Sequence, residues 1–371
     1  MIAPPPSRVR APIRRLTVSA YRIPTEGGPE SDGTLVWDAT TLVLVELEAA
    51  DRTGIGYTYA DAATALLIRD TLHDVVVGRD AFEHGAIWAA MGGKVRNLGR
   101  DGITSMAISA VDIALWDLRG KLLDRPVAEL LGVARERVPV YGSGGFTSYD
   151  TARLCRQLSG WVESGIPRVK MKIGRDPAAD VGRIAAARAA IGDRAQLFVD
   201  ANGAYGRKQA LELAEQFAAS HVAWYEEPVY HQDFRGLAQV RDAAPASMEV
   251  AAGEYGYGLY HFARMLDAHT VDVLQADATR CGGFTGLLAV DGLCQTAMIP
   301  LSTHCAPFVH LHAGAALQTL RHMEYFFDHV RIERMLFDGV SEPVDGSLVP
   351  DLTRPGIGLE FRRSDAARFA L

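Results

Sequence analysis

The chain has 371 residues, of which 48% are hydrophobic and 22% charged. That length allows about two domains, and the composition excludes wholesale disorder, a collagen-like fibre and a small disulfide-stapled scaffold. Lys and Arg number 38 against 45 Asp and Glu, a formal net charge of −7. Such a balance offers no general attraction to phosphate backbones or anionic lipid, so nucleic acid is excluded as a partner class.

Residues 1–15 (MIAPPPSRVRAPIRR) contain no apolar stretch of signal-peptide length. No later run reaches the roughly 18 apolar residues of a membrane span. The expectation is a cytoplasmic soluble protein with no membrane partner. The cysteines Cys155, Cys281, Cys294 and Cys305 form no C-x-x-C pair, the pattern of buried free thiols in a reducing compartment.

In chain order, 15–22 (RLTVSAYR) and 41–48 (TLVLVELE) alternate apolar and polar like half-buried strands, with the loop TEGGPESDGT between them. From Ile103, the residues Met106, Ile108, Val111, Ala114, Leu115 and Leu118 recur at helical spacing, and GKLLDRPVAELLG closes this helical region through Pro126. The first part therefore reads as α+β. From Val138 a short apolar strand followed by an Ala- or Leu-rich helix recurs about every 20 to 30 residues. The strand candidates are 138–142, 168–173, 196–200, 222–227, 248–252, 271–275, 299–303 and 322–326. Eight parallel strands with crossover helices predict an α/β fold, a closed barrel of about 200 residues. Segments after residue 340 read as turns and short strands that return to the first part.

In a parallel barrel the C-terminal strand ends converge on one mouth. The polar residues there are Lys170, Lys172, Asp200 with Asn202, Glu226, Glu227, Glu254, Asp277, His304 and Glu324. From Lys170 to 200, 226, 254, 277, 304 and 324 the steps are 30, 26, 28, 23, 27 and 20 residues, each about one βα unit. Lys170 and Lys172 share a strand face. Val169, Met171 and Ile173 then face the helices, so the ammonium groups point inward, where they must meet carboxylates or a substrate anion. Each disfavours the other's protonation, which predicts a lysine pKa lowered toward the range of a base.

Asp200, Glu226 and Glu254 end three consecutive units. Any one alone is explained as well by a salt bridge or a helix N-cap, but three in register cannot share a mouth without a cation. All-oxygen donors with room for water and substrate point to Mg²⁺, with Mn²⁺ as the alternative, rather than zinc. Glu227 should point away from Glu226 by strand alternation and form a structural ion pair. Asp277 and His304 lie one unit apart, which brings a carboxylate to an imidazole and fixes its tautomer. His310 and His312 fall on the helical side of the repeat and read as packing or surface groups. Glu324 is placed either to donate, when protonated, to a developing oxyanion or to pair with a lysine. GSGGFTS (142–148) and CGGFTG (281–286) lack phosphate-cradle spacing and read as tight turns at the mouth, with Ser143 as a substrate contact.

Together these residues resemble the enolase superfamily and, within it, the mandelate racemase subgroup. The resemblance covers nearly the whole chain through KMK (170–172), VDANGAY (199–205), WYEEPV (224–229), AAGE (251–254), QADATRCGG (275–283), STH (302–304) and HMEYF (322–326). It implies a modified TIM barrel, (β/α)7β, over 133–339, capped by an α+β domain built from 1–132 and 340–371. It also implies that Asp200, Glu226 and Glu254 hold the metal. Lys172 is then the base on one face of the substrate α-carbon, with Lys170 beside it, and His304, oriented by Asp277, is the acid/base on the other face. Glu324 hydrogen-bonds the substrate carboxylate. The implied chemistry is metal-assisted removal of an α-proton through an enediolate. The implied partners are a small-molecule carboxylate substrate and further copies of the chain in an even-numbered homo-oligomer.

Two outcomes compete once the proton is off: return from the opposite face racemises, whereas loss of a β-hydroxyl dehydrates. The loop 24–37 is dense in Thr25, Glu26, Glu30, Ser31, Asp32 and Thr34, and 54–62 brings Thr58 and Tyr59. Polar loops over the mouth favour a polyhydroxylated substrate, although an ordinary solvated surface has the same composition. The first expectation is an acid-sugar dehydratase and the second a 2-hydroxy-acid racemase or epimerase. A non-catalytic sugar-acid binding protein, which needs neither Lys172 nor His304, is the reading from another class.

Overall fold

The computed structural model describes residues 10–371, so the Pro-rich start at 1–9 lies outside the described residues. The N-terminal region supplies β1 (Ile13–Pro24), β2 (Glu30–Ser31), β3 (Val36–Trp37), β4 (Ala39–Ala49) and β5 (Arg52–Tyr59). β1, β4 and β5 form an antiparallel sheet with β4 in the middle. Alternation along β4 sorts its side chains: Leu42 and Leu44 join the barrel-side core, while Val43, Val45 and Leu47 join the core under the helix Ile103–Leu123. Both faces are covered, so the half-buried strand expected here is buried on both sides. The helix lies close on β5 because Gly54 and Gly56 lack side chains; a Cβ on Gly56 would sit 2.2 Å from the Ala110 carbonyl oxygen.

All eight expected barrel strands form: β6 (Val138–Gly144), β7 (Arg168–Lys172), β8 (Gln196–Asp200), β9 (Val222–Glu226), β10 (Glu249–Ala252), β11 (Val273–Ala276), β12 (Leu301–Thr303) and β13 (Leu320–Phe326). Each pairs in parallel with the next, and β13 closes on β6. Seven α-helices lie between them, from Thr151–Glu163 to Pro307–Gly314. Apolar residues on the outward strand positions, such as Val169, Met171, Leu197 and Val199, pack in the main core. The inward positions carry a separate plug of Tyr141, Phe198, Trp224, Ala251 and Val273. Phe198 and Trp224 stack with centroids 5.1 Å apart, closing the barrel below the polar mouth. Gly142 and Gly144 belong to β6 rather than to the turn expected there, and side chains of the helix Thr151–Glu163 take the space of a Cβ: Trp161 at Gly142, and Gln157, with Oε1 at 2.7 Å, at Gly144.

The C-terminal segment runs back to the N-terminal sheet. Phe337–Asp338 pairs with Glu360–Phe361, Arg363 meets Glu46, and Leu371 N donates to Ala20 O at 3.0 Å. Buried Asp117, on the long helix, joins both chain ends by accepting from Ile55 N and Ile357 N, each at 2.7 Å. Among the described residues, no helix is long and apolar enough to cross a membrane. All four cysteines are free, with Cys155 only half-buried.

Candidate active site

Strand register delivers the polar groups to one level. Lys172 lies opposite Asp200, and Asp200 opposite Glu226. Lys172 Nζ meets Asp200 Oδ2 at 2.5 Å. Lys170 Nζ, one layer deeper, donates to Glu226 Oε1 at 2.6 Å and lies 2.8 Å from Glu324 Oε1. One oxygen each of Asp200, Glu226 and Glu254 falls within a mutual 4.8 Å. Glu254 Oε2 makes no hydrogen bond, although His304 Nε2 approaches to 3.3 Å. Buried, all-oxygen and partly unpartnered, this trio fits a hard divalent cation such as Mg²⁺.

Across the mouth, His304 Nδ1 meets Asp277 Oδ2 at 2.9 Å. Asp277 Oδ1 is held by Thr279 N at 2.7 Å. This leaves Nε2 as the reactive nitrogen. His310 Nε2 accepts from Ala278 N at 2.8 Å and its Nδ1 faces Ala306 O at 2.9 Å. Both of its nitrogens are therefore spent on backbone groups, one in the turn after β11 and one at the start of the helix after β12. Lys172, Asn202, Glu254, Arg280 and His304 line a cavity of about 380 Å³, with Asp32, Trp37 and Tyr59 from the N-terminal region. That size suits a small ligand.

Charge dominates the pocket. Burial pushes the Lys172 ammonium toward neutrality and Asp200 opposes it; despite Lys170, the carboxylates prevail and hold its pKa above the usual lysine range. The lowered lysine expected from the paired ammonium groups is thus reversed here, because Asp200, Glu226 and Glu254 outweigh the like charge. Glu324 behaves likewise. Burial would protonate it, but Lys170 and His304 hold it below the ordinary carboxylate range. It accepts from Ser143 Oγ at 2.6 Å and from Cys305 N at 2.7 Å. Donors converge on both of its oxygens, so in this arrangement Glu324 is a carboxylate rather than the protonated donor that was one of its expected roles.

Comparison with known proteins fits this geometry. Residues 31–132 match the mandelate racemase / muconate lactonizing enzyme N-terminal domain, and residues 151–366 match the enolase C-terminal domain-like family. The chain belongs to the mandelate racemase/muconate lactonizing enzyme family. This family member is 32% identical over 364 residues to the 3,6-anhydro-alpha-L-galactonate cycloisomerase of Streptomyces coelicolor, covering 95% of this chain and 98% of that one. A mandelate racemase/muconate lactonizing enzyme-like protein from Rubrobacter xylanophilus superposes with a TM-score of 0.95 at 52% identity, over 97% of this chain and all of that one. The L-talarate/galactarate dehydratase from Salmonella typhimurium LT2, liganded with Mg and L-lyxarohydroxamate, superposes with a TM-score of 0.91 at 27% identity. That match covers 100% of this chain and 96% of that one.

Within this family member, the groups read from the sequence fall into three sets. Asp200, Glu226, Glu254, Lys170, Lys172, Asp277, His304 and Glu324 converge at the mouth, and Ser143 joins them through Glu324. Asn202 reaches the cavity with Oδ1 unpartnered, and Tyr59 lines it while stacked on His329 at 3.5 Å between centroids. Thr58 does not reach it: the hydroxyl is buried and donates to Thr279 O at 2.8 Å. His310 and His312 are both buried, so packing applies to them and surface does not.

Glu227 overturns its expected ion pair. The strand ends at Glu226, and Glu227 takes a positive φ of 37°, so alternation no longer turns it outward. It is buried, with Oε1 unpartnered, and burial together with Glu254 raises its pKa well above the carboxylate range. The loop 24–37 does fold over the mouth, but its polar groups largely serve the loop itself. Asp32 Oδ1 accepts from Thr34 N and Leu35 N at 2.6 and 2.7 Å, and Ser31 Oγ meets Thr147 Oγ1 at 2.6 Å. Two groups escaped the sequence reading. Arg280, 3.0 Å from Glu254 O, was visible as a charge in the turn after β11. Cys305 had no signal beyond standing next to His304.

Proposed function

We propose that this chain is a divalent-metal-dependent acid-sugar enzyme that dehydrates an aldonate or aldarate to a 2-keto-3-deoxy acid. One observation carries the reading. Lys172 on β7 and His304 after β12 reach the same cavity, with the strands that lead to Asp200, Glu226 and Glu254, β8 to β10, lying between β7 and β12 in the barrel. A substrate carboxylate near the trio would present its α-carbon between a lysine and an imidazole.

Removing an α-proton from a carboxylate is hard because it places a second negative charge on the same group. Asp200, Glu226 and Glu254 would hold the Mg²⁺. Bound there, it supplies charge that offsets this developing anion and neutralises the carboxylates that otherwise keep Lys172 an ammonium. Lys172 Nζ then takes the α-proton. His304, held by Asp277, gives its Nε2 proton to the β-oxygen as the C–O bond breaks. Water leaves, and the enol product becomes the 2-keto acid.

The sequence similarity to a cycloisomerase over nearly the whole chain supports a second reading. If the β-oxygen belongs to a ring, the same proton removal and C–O cleavage open the ring and lose nothing, giving an isomer. A racemase would use the same two groups without a leaving group, and a binding protein would need neither. We also take 1–132 with 340–371 as one capping domain around a barrel of 133–339, a division supported by the contacts of Asp117 and Leu371.

The test is proton NMR in D₂O with Mg²⁺ and a panel of aldonates, aldarates, aldarolactones and 3,6-anhydroaldonates. Keto acid formed from an open-chain acid supports dehydration, and keto acid formed only from cyclic substrates supports cycloisomerisation. Exchange without keto acid supports racemisation. No exchange across the panel, with activity equally absent in Lys172→Ala and wild type, refutes the catalytic reading.

A further inference from the structure

β12 ends at Thr303, and the chain then does something costly. Cys305 and Ala306 both take positive φ, 52° and 40°, a region that residues with a Cβ occupy rarely. On a continuing strand His304 and Cys305 would face opposite sides. Here the left-handed turn brings Cys305 Sγ to 3.2 Å from His304 Nε2, and both residues line the same cavity.

A third donor stands beside them. Glu324 Oε2 lies 3.9 Å from His304 Nε2, and one ligand atom each of His304, Cys305 and Glu324 falls within a mutual 4.8 Å. Oε1 of Glu324 is occupied by Ser143 and Lys170. Oε2 accepts from Cys305 N, which leaves it a second lone pair.

We propose that His304, Cys305 and Glu324 form a second metal site at the barrel mouth, one that takes a thiophilic ion, Zn²⁺, and thereby blocks the acid/base histidine. The site shares no residue with the Asp200, Glu226 and Glu254 trio. Its donors are nitrogen, sulfur and oxygen, a set that favours Zn²⁺ and that Mg²⁺ avoids. Ordinary zinc bond lengths require edges of about 3.6 Å for N···S and about 3.4 Å for N···O in a tetrahedron, and the side chains meet them by moving a few tenths of an ångström. The outer contact is in place as well: Asp277 holds Nδ1, the carboxylate–histidine arrangement that orients a metal-bound imidazole. The fourth position opens into the cavity. As the nitrogen–zinc and sulfur–zinc bonds form, the Nε2 proton of His304 and the Cys305 thiol proton both pass to the buffer.

This inference goes beyond the proposed reaction and is tested without turnover. Protein saturated with Mg²⁺ in a thiol-free reductant is titrated with Co²⁺, which reports sulfur ligation by a sulfur-to-cobalt charge-transfer band. The expected result is one Co²⁺ per chain with that band, bleached by Zn²⁺ and unaffected by excess Mg²⁺. Cys305→Ala and Cys305→Ser, checked for wild-type melting, should lose the band and weaken Zn²⁺ binding at least about tenfold. Absence of the band in wild type overturns the proposal. Its persistence in both variants, which would place the sulfur at another cysteine, or its displacement by Mg²⁺, which would place the ion in the carboxylate trio, overturns it too. None of these outcomes bears on whether an acid sugar is the substrate.

Discussion

Replacing Asp277 by Asn should separate the two halves of the chemistry. Asp277 is buried, and although burial alone would raise its pKa, the hydrogen bond from His304 carries it from 3.8 down to about 2. At 1.36 kcal/mol per unit, its partners favour the charged form by about 2 kcal/mol. Asn removes that charge and can turn an N–H toward His304 Nδ1, which then has to be the unprotonated nitrogen. The proton moves to Nε2 of a neutral ring, and the imidazolium that should protonate the leaving oxygen loses its counter-charge. Lost charge alone is worth about 30-fold, and where a buried aspartate orients a catalytic histidine the combined loss reaches about 10⁴. The expected result is a fall of about 10² to 10⁴ in kcat for steps that need His304, with KM changed less than about threefold. Exchange initiated by Lys172 should fall far less. The assay is α-proton exchange in D₂O with both carbon-2 epimers, alongside keto acid formation. Equal losses for the two epimers, or none, would refute the assignment of His304 and Lys172 to opposite faces.

Three further outcomes follow from particular contacts. A Cβ on Gly33 would lie 2.5 Å from Ala201 O and 2.7 Å from Ile173 O, so Gly33→Ala should lift the 24–37 loop and raise KM about 10-fold or more. Melting should stay nearly unchanged, and an unaltered KM would show that the loop does not close the site. Asp117→Ala leaves two backbone N–H groups and Lys121, which Asp117 meets at 2.9 Å, without their buried partner. Guanidinium unfolding should show a loss of about 3–5 kcal/mol, and a loss under 1 kcal/mol would contradict the role given to it. Glu333 is buried, which raises its pKa from 4.5 to about 8. Between those values the native state keeps a proton that the unfolded chain has lost, so stability is full below pH 4.5 and falls as pH rises through about 8. The ceiling is about 5 kcal/mol. Unfolding at pH 6 and 8.5 should show a smaller drop for Glu333→Gln than for wild type, leaving the part that the other raised buried carboxyls contribute, among them Glu30 and Glu226, each at about 8, and Glu227.

The barrel and its charged mouth were legible because both rest on period: strands recur with the βα unit, and strand ends carry the charged groups. Lys170 and Lys172 could be aimed inward from Val169, Met171 and Ile173 alone. What failed were inferences that carried alternation past the end of a strand. Glu227 and Cys305 both follow a strand's last residues, take positive φ, and turn toward the site when a regular strand would turn them away. Electrostatic signs also depend on more than near neighbours in sequence. Lys170 does oppose the charge on Lys172, but the carboxylates on neighbouring strands are closer to deciding it. Such sums become available only when register is known.

Composition was least decisive at the 24–37 loop. Its hydroxyls and carboxylates looked like a surface for a polyhydroxylated ligand, yet Thr25 Oγ1 bonds Gly28 O at 2.8 Å, and Ser31 and Asp32 stitch the loop to itself and to Thr147. A short loop cannot be held over a barrel mouth without satisfying its own backbone and polar groups, so the polarity is the means of closure. What it shows to the cavity is Asp32, Leu35 and Trp37. An aromatic face with a single carboxylate suits a ring with an apolar C–H side as readily as an open polyol. In the proposed reaction the barrel would supply proton removal and C–O cleavage, while the cap would decide whether the departing oxygen is free or tethered.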